Sequence, residues 1–114
     1  MNIIQMLKAL GDENRIRILN LLKDGELCVC EIEHILRISQ SNASRHLTKL
    51  SVLNIVVYEK KAQWMYYRLN KETLEQFPFI KELLDNELSK IDICNQDIEN
   101  LIVYKKSGMT CKNL

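Results

Sequence analysis

The run "GELCVCEIEHIL", residues 25–36, sets Cys28 and Cys30 one residue apart in a chain of 114 residues with four cysteines. Two thiols that close, where a helix is about to begin, suit a soft metal or metalloid ion. Thiolates select soft ions, and a helix N-terminus lowers a thiol pKa toward the ligating anion. In a regular helix, residues i and i+2 point about 200° apart. The two sulfurs can therefore share an ion only if the segment starts outside the helix or bends on binding. Two further thiols are candidates to complete a site: Cys94, on an apolar stripe between Ile91 and Ile98, and Cys111, in the C-terminal tail. His34 follows Cys30 at helical-neighbour spacing and suits zinc. Two other readings stand beside metal binding, ordinary core thiols and a thiol-redox pair, although a disulfide between residues i and i+2 is strained.

A second cluster lies just downstream. Ser39, Gln40, Ser41, Asn42, Ser44, Arg45, His46 and Lys49 crowd polar and basic groups into one short stretch. Gln and Asn pair bidentately with adenine and Arg with guanine, so this is a set that reads base edges and phosphates. Charge supports the assignment. Between residues 34 and 71, seven basic side chains, Lys60 and Lys61 among them, stand against Glu59 alone, while both flanking segments are net acidic in a chain of overall charge +1. A cationic block of this kind is the footprint of a nucleic-acid surface.

Positioning these residues takes several helices. "NIIQMLKAL" is apolar at helical spacing and stops at "GD", where Asp12 can cap a second helix carrying Ile16, Leu19 and Leu22. Gly25 suits that helix's left-handed exit. A short third helix is predicted from about Cys28 to Leu36, and a fourth from a Ser39 or Ser41 cap through residue 53, with Asn54 as its left-handed exit. "IVVYEK" and "WMYYRL", separated by "KAQ", then read as a two-stranded hairpin. Beyond Asn70 the pattern is helical, with Ile80, Leu84, Leu88, Ile91, Cys94, Ile98 and Leu101 on one stripe of a long helix. The fold class is thus mostly α with a two-stranded β-hairpin wing, a winged helix-turn-helix. Residues 1–104 are expected to form one DNA-binding and dimerisation domain, and 105–114 a flexible C-terminal tail.

"LGDENRIRIL", "ISQSNASRHLTKL" and "WMYYRL" together resemble the ArsR/SmtB family of metal-sensing bacterial repressors. The likeness covers residues 3 to about 100 and is most specific in the S-x-H-L-x-x-L segment from Ser44 to Leu50. It implies a homodimer held by the first and last helices, binding operator DNA through the recognition helix and wing and leaving it when metal binds. "ELCVC" resembles the thiolate box of the family's arsenic, antimony, cadmium and lead sensors. Arsenic-sensing relatives often carry a third cysteine three residues on, where this chain has Glu33. The family's other sensing site needs histidines on the last helix, and no His follows His46. The resemblance thus implies a repressor induced by As(III) or Sb(III), or alternatively by Cd, Pb or Zn.

Other classes fit poorly. No apolar run approaches the ~20 residues of a membrane span. No thioredoxin-like C-x-x-C, phosphate loop or nucleophile elbow occurs, so an enzyme is not expected. The first residues have no basic leader before an apolar stretch, which predicts a cytoplasmic protein with reduced thiols.

Overall fold

The computed structural model describes residues 2–114. Helix α1, Ile3–Leu10, starts at Asn2, whose side chain accepts from the Gln5 N–H while Gln5 returns the bond, a reciprocal cap. Asp12 caps α2, Glu13–Leu22, through the Arg15 N–H, as its position predicts. A two-residue strand β1, Leu27–Cys28, leads into α3, Val29–Leu36. Ser39 caps α4, Gln40–Val52, by accepting from the Asn42 N–H at 3.2 Å. Asn54 then takes the left-handed conformation, φ 58°, that turns the chain into the wing.

The wing strands are β2, Val56–Lys61, and β3, Trp64–Leu69. Only Ala62 and Gln63 separate them, and Ala62 supplies the positive φ, 56°, that a two-residue hairpin turn requires. The sheet has a third member that periodicity did not suggest. Strand β1 pairs antiparallel with β3, with Leu27 opposite Tyr67 and Cys28 opposite Tyr66, giving the order β1-β3-β2.

The single long helix expected after Asn70 is instead broken. Helix α5, Lys71–Gln76, stops at Phe77, and Pro78 opens α6, Pro78–Glu82. A π-helical turn, Leu83–Glu87, and a 3-10 turn, Leu88–Lys90, follow. Ile91 then adopts extended backbone before α7, Asp92–Lys106. Periodicity survives the break because each piece still buries its own apolar positions: Ile80, Leu84 and Leu88 before it, Cys94 and Leu101 after it. Ile91, at the corner, is 42 % exposed.

Helix α7 packs on α2 and α3, and α3 packs on α4. Two polar links lock α7 down. Arg17 donates to both carboxylate oxygens of buried Asp97, at 2.7 and 2.9 Å, and to the Leu36 carbonyl at 3.1 Å. Asn20 donates from Nδ2 to the Cys94 carbonyl at 3.1 Å. These bonds satisfy buried polar groups that would otherwise each cost about 1–3 kcal/mol. Residues 105–114, expected as a loose tail, continue α7 to Lys106 and close with a 3-10 turn, Cys111–Asn113, in which Cys111 is buried. Thr110 caps that turn, accepting from the Lys112 N–H while its own N–H donates to Asn113.

Candidate thiolate site and nucleic-acid interface

Cys28 occupies a joint in the backbone. It is the last residue of β1 and the cap residue of α3, with φ −81° and ψ 162°, so its side chain is free of the helical rotation that binds the residues after it. Glu31, three residues on, reaches back: its Oε1 accepts the Cys28 N–H at 3.0 Å. This is the return half of a capping box. The other oxygen, Oε2, accepts from the hydroxyl of Tyr104 on α7 at 2.5 Å. Tyr104 is buried, its ring tilted against His34 at 5.5 Å between centroids. Burial first, then the Glu31 hydrogen bond and charge, push the Tyr104 phenol far above its ordinary range, so it remains a proton donor at any ordinary pH.

The turn after α7 lays Cys111 on this joint. Cys28 and Cys111, separated by 83 residues, are joined Sγ to Sγ, with Cα atoms 6.9 Å apart. The two sulfurs and a Glu31 carboxylate oxygen all lie within 4.8 Å of one another. Cys111 Sγ is also 3.9 Å from the hydroxyl of Tyr66, the residue paired with Cys28 across the sheet. Once reduced, the donor set is two soft thiols beside a hard carboxylate, a combination that fits a thiophilic ion.

The other cysteines sit apart from this group. Cys30, inside the first turn of α3, is half-buried and unbonded. Cys94 is in the core between α2 and α7, where burial pushes its thiol up and disfavours the ligating anion. His34 is exposed on α3 against Tyr104. Of the four sulfurs, then, the fold brings together Cys28 and Cys111. Sequence reasoning missed Tyr104 and gave Glu31 no part in the cap, although the C-x-x-E spacing from Cys28 to Glu31 is that of a capping box.

On the reading side, Gln40, Ser41, Ser44, Arg45 and Lys49 are exposed along α4. Ser39 is committed to the cap, and half-buried Asn42 accepts from Arg45 at 3.2 Å, which steadies the guanidinium. His46 differs from the expectation of a DNA contact. It is buried, with Nδ1 3.4 Å from Arg15 and 3.8 Å from Asp12, and burial lowers its pKa and keeps it neutral. The cause is helical rotation: His46 shares the inward face with Ala43, Leu47 and Leu50. In the wing, Lys60 is exposed, while Lys61 is held by Glu26 at 2.5 Å and lies 5.1 Å above the Tyr66 ring.

A braced helix with an exposed polar start, followed by a basic hairpin, defines a winged helix-turn-helix DNA-binding regulator. The family model for "Bacterial regulatory protein, arsR family" matches residues 12–58. An arsenical resistance operon repressor from Escherichia coli is 43% identical over 109 residues, covering 95% of this chain and 87% of that protein. The chain belongs to the arsR family, whose members here are transcriptional regulators and not enzymes. The arsenic resistance transcriptional regulator ArsR1 of Pseudomonas putida is 47% identical over 66 residues, 57% of this chain and 52% of the relative. A cadmium resistance regulatory protein CadC homolog from Staphylococcus aureus is 39% identical over 77 residues, 67% and 64% of the two chains. With those two relatives the chain thus matches half to two-thirds of their length. Among solved structures, a homodimeric winged helix-turn-helix domain from Mycobacterium bovis is 26% identical with TM-score 0.63, over 77% of this chain and 82% of that one. Among the described residues no helix is long and apolar enough to cross a membrane.

Proposed function

We propose that this chain is a homodimeric repressor of the reducing cytoplasm that binds operator DNA and releases it when arsenite or antimonite binds Cys28, Cys30 and Cys111. One observation carries the reading: Cys111, from the far end of the chain, is folded onto Cys28 at the cap of the helix that braces the reader. Glu33 replaces the third cysteine that arsenic-sensing relatives often have, and Cys111 supplies the missing sulfur. Cys28 and Cys111 are already together, so completing the set requires Cys30 to leave the first turn of α3. Because α3 packs on α4, that movement would be passed to the reading helix. Such a ligand releases DNA because it favours a state that reads DNA poorly, and coupling of about 1–3 kcal/mol is the usual scale. The dimer face we favour pairs α1 not with the last helix, α7, as the resemblance implies, but with the segment from α6 into the π-helical turn: Ile3, Ile4 and Leu7 are exposed on α1 beside a groove lined by Phe79 and Leu83.

The relatives named for cadmium resistance and the Glu31 carboxylate beside the sulfurs favour a divalent inducer as the close alternative. The Cys28–Cys111 bond itself favours another, a thiol-redox regulator that responds to oxidant. Anisotropy of a labelled fragment of the gene's own upstream DNA, bound by protein reduced with a phosphine that is removed before titration under anaerobic conditions, separates the three. Near-stoichiometric release by arsenite is the expected result. Release by cadmium alone selects the divalent reading, and release by diamide with no ion effect selects the redox one.

A further inference from the structure

We infer that Tyr104 is a positioning residue that keeps the Glu31 carboxylate out of the thiolate site, and so biases that site toward trivalent metalloids and against divalent metals. The inference rests on the thiolate reading of Cys28 and Cys111 above. Both oxygens of Glu31 are engaged, Oε1 by the Cys28 N–H at 3.0 Å and Oε2 by the Tyr104 hydroxyl at 2.5 Å, although the carboxylate lies within ligand reach of both sulfurs. The Tyr104 bond is short, is directed at a charged acceptor, and comes from a buried phenol, the features of a strong hydrogen bond.

The ions differ in what they ask of this arrangement. Trivalent arsenic or antimony is satisfied by three sulfurs and a lone pair, so Glu31 is irrelevant to it. Zinc takes four ligands, commonly admitting a carboxylate oxygen, and cadmium makes similar demands. Among the described residues, Glu31 is the carboxylate that lies with the two sulfurs. To coordinate, it must loosen its hold on Tyr104 or abandon the Cys28 cap. Either move weakens a contact that fixes α3, and the hydrogen bond therefore acts as a toll on divalent binding alone.

The test titrates phosphine-reduced protein with arsenite and with Cd2+, following sulfur-to-metal charge-transfer absorbance, for wild type, Tyr104→Phe, Glu31→Gln and the double variant. Tyr104→Phe is expected to tighten cadmium about tenfold, equivalent to ~1.4 kcal/mol, and to move arsenite by less than about threefold. Glu31→Gln is expected to weaken cadmium about tenfold, and the double variant to show no gain over it. In 113Cd NMR, the Tyr104→Phe resonance should move in the direction of added oxygen coordination and return in the double variant, a signature a purely structural role would not produce. Cadmium affinity unchanged or lowered in Tyr104→Phe, or a gain that persists without the carboxylate, overturns the inference while leaving arsenite binding intact. Should Tyr104→Phe fail to fold, Glu31→Gln decides, because undiminished cadmium affinity there removes the carboxylate from the site. Absent charge-transfer bands for both ions in wild type instead bring down the thiolate reading itself.

Discussion

Helices α3 and α4 both begin from a capping residue in extended backbone, Cys28 in one case and Ser39 in the other. Around Ser39 everything is local: the cap bond goes to Asn42, and Asn42 in turn holds Arg45. Around Cys28 almost nothing is local beyond Glu31. Its backbone pairs with Tyr66, its sulfur meets Cys111, and its cap partner is held by Tyr104. The first turn of α4, which we propose reads DNA, is exposed and self-contained, while the cap of α3, which we propose holds the inducer, is buried and assembled from remote parts of the chain. A surface that must meet DNA can be built from one helix turn, whereas a site whose occupation must be felt throughout the domain gains from touching several elements at once.

That contrast can be broken from either side. The largest effect is expected from the sulfurs: Cys28→Ser or Cys111→Ser should abolish arsenite-driven release in the anisotropy assay, while Cys94→Ser, at a core position outside the group, should retain it. Next comes the anchoring of α7. Asp97→Ala leaves the Arg17 guanidinium without its buried partner and should cost about 3 kcal/mol in denaturant-measured stability, the low end for a broken buried pair because Arg17 keeps some exposure. On the reading side, Arg45→Ala should weaken operator binding by about 1–3 kcal/mol. Lys49→Ala should mainly lower the slope of log affinity against log salt by about one phosphate contact. Neither should change arsenite binding, and a shift there would show that the two ends are not separable.

The smallest effect concerns His46. Burial holds its folded pKa below the ordinary value of 6.5, so the unfolded chain binds the extra proton first. Stability is then full above pH 6.5 and falls as pH drops through that value toward the lower folded pKa. Unfolding midpoints measured from pH 8 to 5 should decline on that limb, and His46→Gln should flatten it.

The same division explains how much could be read from sequence. Helix α4 was legible with its cap, its exit at Asn54 and its outward polar row, because those features depend on residues a few positions apart. His46 escaped because its type suggests a contact while its register, three residues after Ala43 and one before Leu47, turns it inward. Cys28 and Cys30 were recognisable as chemistry, with Cys94 and Cys111 as candidates to join them, yet which of those two the fold would bring to Cys28 was not. Nothing local in "KKSGMTCKNL" announces that a capped 3-10 turn will bury Cys111. Strand β1, two residues long, is likewise too short to carry a period, and the broken helix after Asn70 kept an apolar spacing that one continuous helix would also satisfy.

The link from Cys28 to Cys111 also has a topological consequence. It closes a ring of the chain inside which lie all of α4, the wing and α7. By loop-closure entropy a ring of that size restrains the unfolded chain by about 4.5 kcal/mol. A bond between the two sulfurs, or an ion bridging them, should therefore raise the melting temperature. A dye-based thermal scan would register the fastened state with no DNA present, and comparing it with the operator assay would show whether fastening the two sulfurs is enough for release or whether Cys30 must join them.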